Sequence, residues 1–304
     1  MRGRLGSWTR ALRPTRLRVG VALLAAIVLF TLLMPLVSSY GTDDIVGNPY
    51  AQPSSAHPLG LDDVGADVLT LLAYGGRISL LTGMTAALVA IVVGTAVGTV
   101  AGYFGGRTDV GLMLVVNYLL VIPGIPLMIV VAAVFGASTL TLILAIGLVS
   151  WPATALVLRS QTKSLRERMY VDRARSLGSG NVWILTRHVL PELTSLIAAS
   201  TALMLAQAVF LESALSFLGL GDPTRVSWGS MISSAFERGA ASVNAWWALA
   251  APGIAITLVV LACSLIGQAI EERANPRLRA SGRIARRLRL RPTPSRPAGD
   301  EVPT

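Results

Sequence analysis

The sequence is poor in charge. Only 14% of its 304 residues are Asp, Glu, Lys or Arg, against 53% hydrophobic, whereas a soluble domain carries about a quarter charged residues. With so little polar surface for a body of this length, a cytosolic enzyme is excluded. Cysteine is scarcer still: Cys263 stands alone, so there is no intrachain disulfide and no thiolate cluster for zinc or iron–sulfur. Histidine is limited to His57 and His188, and lysine to Lys163, which leaves metal chemistry little to work with. A phosphate-cradling G-x-x-x-x-G-K-[ST] loop is missing too, because Lys163 follows Thr162 with no glycine loop before it. The chain cannot hydrolyse ATP by that route, and any dependence on ATP has to come from a partner.

What is present in quantity is apolar sequence, with a mean hydropathy of +0.63. A membrane span needs roughly 20 mainly apolar residues. Six charge-free stretches qualify: Val19–Val37, Ile78–Ala101, Val110–Phe135, Thr139–Leu158, Leu193–Leu211 and Ala245–Ile270. The expected fold is an all-α membrane protein, a six-helix bundle. Gly136-Ala137-Ser138 supplies the break of a helical hairpin, and Pro123 and Pro126 should bend its first helix. The first stretch follows Arg10, Arg13, Arg16 and Arg18 and has a signal-peptide alternative, with cleavage near Ser39. Its apolar run exceeds the usual core of about 7 to 15 residues, so a retained anchor is the better reading.

Orientation follows from the arginines. With the N-terminus inside, 23 of the 26 Lys and Arg residues fall in cytoplasmic segments. The other side holds Arg77, Arg225 and Arg238 with eight acids, among them Asp43, Asp67, Glu212 and Asp222. By the positive-inside rule both termini are cytoplasmic, and the protein is expected to be a multi-pass membrane chain. The basic residues flank spans without an interleaved aromatic platform, which argues against nucleic acid. The two histidines then lie on opposite sides of the membrane and share no site. Residues 1–18 read as a basic tail, 19–77 as the first span with an extracytoplasmic segment, 78–275 as a five-span core, and 276–304 as a basic, Pro-rich tail that cannot bury a core. Its Arg-rich part suits anionic lipid.

Along the second span Ala86, Ala90, Gly94, Gly98 and Gly102 recur every four residues, a strip on which helix backbones can approach closely. Packing is the expected role, and a sliding surface the sharper alternative. No span contains a carboxylate, histidine or lysine, the groups on which proton-coupled carriers rely. Asn117, Gln207 and the outer acid Glu212 are the candidates for a translocation path, with interhelical hydrogen bonding as the alternative for the amides.

The segment 159–192 exceeds the usual helix connection of about 2 to 8 residues. It reads as two short amphipathic helices, Leu165–Leu177 and Asn181–Leu190, with Gly178 permitting the turn between them. A charged surface loop is one reading. The apolar residues Tyr170, Ala174, Leu177, Trp183 and Ile184 favour another, a knob that docks into a partner's groove.

Here the sequence resembles the permease subunits of bacterial dipeptide, oligopeptide and nickel ABC importers. Their coupling motif, commonly E-A-A-x-x-x-G followed by I-x-L-P, is matched by Asp172-Arg173-Ala174, Gly178, and His188-Val189-Leu190-Pro191 with the spacing intact. Arg173 stands where the family has a small residue. The second, C-type subunit with an extra N-terminal span is also matched by His57-Pro58-Leu59-Gly60, Tyr74-Gly75 with Arg77-Ile78-Ser79-Leu80, Ala101-Gly102-Tyr103-Phe104-Gly105-Gly106, Leu215-Ser216-Phe217-Leu218-Gly219-Leu220-Gly221, Trp228-Gly229, and Trp246-Trp247 with Pro252-Gly253.

The resemblance implies a type I ABC importer permease in a bacterial inner membrane, a transport subunit and not itself an enzyme. It implies pairing with a homologous second permease, two ATPase subunits gripping the coupling loops, and an extracytoplasmic binding protein that delivers a di- or oligopeptide. Nickel or another small solute is the alternative cargo, and an ATP-independent carrier or channel the alternative class. No cofactor is expected on this chain; ATP and Mg belong to the partners. The coupling residues implied are Tyr170, Asp172, Arg173, Ala174, Leu177, Gly178, His188, Leu190 and Pro191. The outer segment from Glu212 to Trp247 is expected to face the binding protein.

Overall fold

The computed structural model describes residues 15–274, so most of the expected basic N-terminal tail and the whole tail 276–304 lie outside the described residues. The described chain is helical, without strands. Helix α1 (Thr15–Val37) leads through an irregular segment to α2 (Val68–Phe104), then α3 (Gly106–Val121), α4 (Gly124–Phe135) and α5 (Thr139–Arg166). A short α6 (Met169–Ser176) precedes α7 (Asn181–Ile184), a π-helical turn (Leu185–Val189) and α8 (Leu190–Phe217); α9 (Trp228–Glu237) and α10 (Trp246–Ala274) complete the order. Five of these segments are long and apolar enough to cross a membrane, and α3 with α4 makes a sixth if that bent pair counts as one span.

The bend in that pair is 87°. Its cause is local: Pro123 caps α4 and Pro126 sits in its first turn, where a missing N–H costs nothing. The hairpin break also falls where the sequence puts it, with Ser138 capping α5 by accepting from the Thr141 N–H.

Two span boundaries are corrected. Helix α2 begins at Val68, ten residues before the expected Ile78, and so contains Arg77. Asp67 caps it through the Thr70 N–H and hydroxyl, each at 2.8 Å. Arg77 is accommodated because Pro35 of α1 has no N–H for the carbonyl four residues before it. That carbonyl, of Thr31, accepts instead from Arg77 Nε at 2.8 Å, and the Leu32 carbonyl accepts from Nη2 at 2.8 Å. Helix α8 runs on past Leu211 to Phe217 and carries Glu212, 1% exposed, inside the bundle. The expectation that no crossing helix holds a carboxylate is therefore overturned. In sequence a charge ends an apolar run, whereas in the fold surrounding serine hydroxyls satisfy it.

Helix α2 is the central post, packed along its length on α5, at mid-helix on α8, where Gly83 meets Val209, and near its start on α9. The small-residue strip is the α5 contact. A Cβ on Gly98 would lie 2.5 Å from the Ala155 carbonyl oxygen, and one on Gly94 2.8 Å from Thr154 Cβ. Ala86 and Ala90 are fully buried, and Gly102 rests on the Arg159 carbonyl. Helix α1 lies against α2 and α10. An ion pair between Arg16 and Glu272 at 3.0 Å brings both ends of the described chain to one face, called here the terminal face.

Candidate functional site: the loop at the terminal face

Following the helices from α1, the segment between α5 and α8 returns to the terminal face. It does not form two separate short helices. Leu165 belongs to the end of α5, and α7 runs without a break through the π turn into α8. Pro191 explains the π turn: it cannot donate to the Arg187 carbonyl and its ring crowds it. The wider turn, closed by the Leu190 N–H on the Leu185 carbonyl, relieves that conflict.

Helix α6 is the part that projects. Its inner face is Val171, fully buried, and Ala174, both packed with Tyr103, Leu158, Ile184 and Val189 in one apolar cluster. Its outer face carries Met169, Tyr170, Asp172, Arg173 and Leu177, and Leu177 is 86% exposed. Met169, Asp172, Arg173, Ser176 and Leu177 line an open depression of about 570 Å³. Asp172 pairs with Arg175 one turn on, at 3.2 Å. His188 lies edge-on to Trp183, with ring centroids 5.0 Å apart, and 6.1 Å from Tyr170. Burial pushes the Tyr170 hydroxyl above its ordinary pKa, and the charge of Glu192 adds to this. Leu190 is half-buried and Pro191 exposed behind this group.

Gly178 has φ of +81°, the left-handed conformation that the turn was expected to need. The Ser179 N–H closes on the Ala174 carbonyl at 3.1 Å and the Gly178 N–H on Arg175 at 3.0 Å. This is a Schellman cap, which satisfies the last carbonyls of α6. The turn therefore fixes the angle at which α6 leaves the rod formed by α7, the π turn and α8.

The base beneath the loop contains residues that the sequence did not single out for this role. The Tyr103 hydroxyl donates to Asn181 Oδ1 at 3.2 Å, and Arg166 Nη1 donates to the Tyr103 carbonyl at 3.0 Å, covering the C-terminal end of α2. Asp109, 8% exposed at the start of α3, is held by both Arg159 and Lys163 of α5, the latter at 2.7 Å. Tyr103 lies within the quoted Ala101–Gly106 motif, so a signal was there. Asp109 and its partners are 50 residues or more apart, and no spacing rule brings them together.

The other candidates lie elsewhere. Asn117 on α3 and Gln207 on α8 are both exposed on this chain. Glu212 is buried near the far face. There α9 and the loop before it line a cavity of about 740 Å³ with Tyr74, Arg77, Asp222, Arg225 and Glu237. Hydrogen bonds from Thr224 hold the Asp222 carboxyl below its usual range. His57 pairs with Asp67 at 3.0 Å, within the far-face segment before α2, and shares nothing with His188.

Residues 94–280 match the family model described as the binding-protein-dependent transport system inner membrane component. A Brucella suis biovar 1 protein, provisionally named a peptide transport system permease, is 34% identical over 90% of this chain and 92% of its own length. The glutathione transport system permease protein of Pectobacterium atrosepticum is 36% identical over 75% of each chain, and the dipeptide transport system permease protein of Alkalihalophilus pseudofirmus 32% over 86% of each. With the matched region spanning α5, the loop and α8, and relatives aligned over most of their length, the chain belongs to the family of binding-protein-dependent transport system inner membrane components.

Proposed function

We propose that this chain is the permease of an ATP-driven importer of di- or oligopeptides, with its arginine-rich terminal face in the cytoplasm. The observation that carries the reading is the loop itself: exposed Met169, Tyr170 and Leu177 held on a buried base, at an angle set by the cap at Gly178. Apolar side chains on a braced helix suit a groove in a partner better than they suit water. The partners are two ATPase subunits, which carry ATP and Mg, a homologous second permease, and a binding protein at the far face. Peptide as cargo draws on the names of the relatives. When the ATPases close on ATP, they move α6, and through it the rod, between two arrangements of the bundle. On this reading Asn117 and Gln207, exposed on the single chain, line a path completed by the second permease.

The test is uptake of a radiolabelled dipeptide by cells with and without this gene. The reading expects gene-dependent uptake that stops when ATP is depleted, survives a protonophore, and is not displaced by nickel. Uptake that survives ATP depletion and collapses with the ion gradient would mean a secondary carrier instead.

A further inference from the structure

Among the described residues, the polar partners of the Glu212 carboxylate are hydroxyls. Ser216 donates to Oε1 at 2.9 Å and Ser213 approaches Oε2 at 3.3 Å. Ser79 of α2 and Ser227, the N-cap of α9, also bring hydroxyls to it. Among the described residues no cation pairs with Glu212. A buried carboxylate is tolerated only when polar groups satisfy it, and here the hydroxyls around it belong to three different helices.

Two of the serines work in both directions. Ser79 Oγ accepts the Trp228 N–H at 3.1 Å, and Ser227 Oγ accepts the Ser230 N–H at 3.2 Å. Accepting from the backbone leaves each hydroxyl proton free to donate onward to Glu212. The positive N-terminal end of α9 is thereby linked to the carboxylate through two serine bridges. Contact is close as well: a Cβ on Gly229 would overlap the Ser213 carbonyl oxygen, so α9 sits directly on the turn of α8 that holds Glu212.

That turn ends the rod that begins in the loop. From Asn181 to Phe217 the helix is continuous for 37 residues, about 55 Å at 1.5 Å per residue. We propose that Glu212 is a positioning residue for transport. It clamps α9 to the far end of the rod, so that a tilt imposed at α6 displaces α9 and changes the cavity that α9 walls with Ser230, Ser233 and Ser234. The inference rests on the importer reading, and the same complex tests both.

The assembled importer, in nanodiscs, is assayed for ATP hydrolysis with and without its binding protein. A wild-type complex that does not respond to the binding protein sinks the importer reading, and this inference with it. Where the wild type responds, Glu212→Gln should lower the stimulation ratio by at least about fivefold, the low end of coupling between sites, and Glu212→Asp, which keeps the charge, should recover much of it. A static anchor would lower the melting temperature of both variants and leave the ratio intact, and that result overturns the proposal alone. If Glu212→Gln does not assemble, Ser227→Ala removes a single bridge; a reduced ratio upholds the proposal and an unchanged ratio overturns it.

Discussion

Gly178 offers a perturbation in which strain and crowding separate. A Cβ at this position would meet nothing within 4 Å, so a larger residue there tests backbone conformation alone. With φ at +81°, an ordinary L-residue costs about 1 to 2 kcal/mol, and strained positions reach about 3 kcal/mol. Valine, branched at Cβ, belongs at the upper end, and asparagine, which tolerates this region, at the lower. At about 1.4 kcal/mol per decade, Gly178→Val should weaken docking of the partner ATPase by about ten- to a hundredfold if the docked loop keeps the cap. Gly178→Asn should cost less than a decade. The assay is titration of the solubilised chain with the ATPase, alongside abundance in membranes, which should stay near normal because the turn lies outside the spans. Equal affinity for wild type, Asn and Val would show that the cap does not set the docking geometry.

Gly98→Leu should disrupt the contact of α2 with α5, where the Ala155 carbonyl leaves no room, at about 1 to 3 kcal/mol for overpacking; a lowered melting temperature in detergent checks it. Arg77→Met should cost about 1.5 to 3 kcal/mol, the strength of hydrogen bonds to a charged group. Pro35→Ala, by returning an N–H to the Thr31 carbonyl, should recover part of that loss, so a strictly additive double mutant in thermal unfolding would refute the pairing. Asp109→Asn should loosen the start of α3 from α5 by about 1.5 to 3 kcal/mol, read as faster amide exchange in residues 106–112 and not in α10.

The bundle of apolar helices, the hairpin and the loop were legible because they depend on runs, prolines and one glycine, all local features. Charge-based boundaries misplaced two helix ends for a single reason. Arg77 and Glu212 interrupt the apolar pattern, yet each is satisfied by groups distant in sequence: Arg77 by carbonyls of α1, and Glu212 by serines of α2, α8 and α9. The same limit hid the second loop helix. Asn181–Leu190 has the amphipathic pattern of a short helix, and only the packing of Val189 and Leu193 on the shared cluster shows that it opens α8. At the loop, Val171 stands just before the motif's Asp172, and only the packing shows that it is the fully buried residue that seats α6.

The most direct measurement of the central claim is a cross-link from the exposed tip of α6. Leu177→Cys, in a Cys263→Ser background, is treated with a short bifunctional thiol reagent in membranes that contain the complete transporter. The account predicts an adduct between this chain and an ATPase subunit, changed in yield by ATP with vanadate, and no labelling of position 177 by an impermeant reagent added to intact cells. Labelling from outside, with no ATPase adduct in membranes, would contradict both the orientation and the docking role.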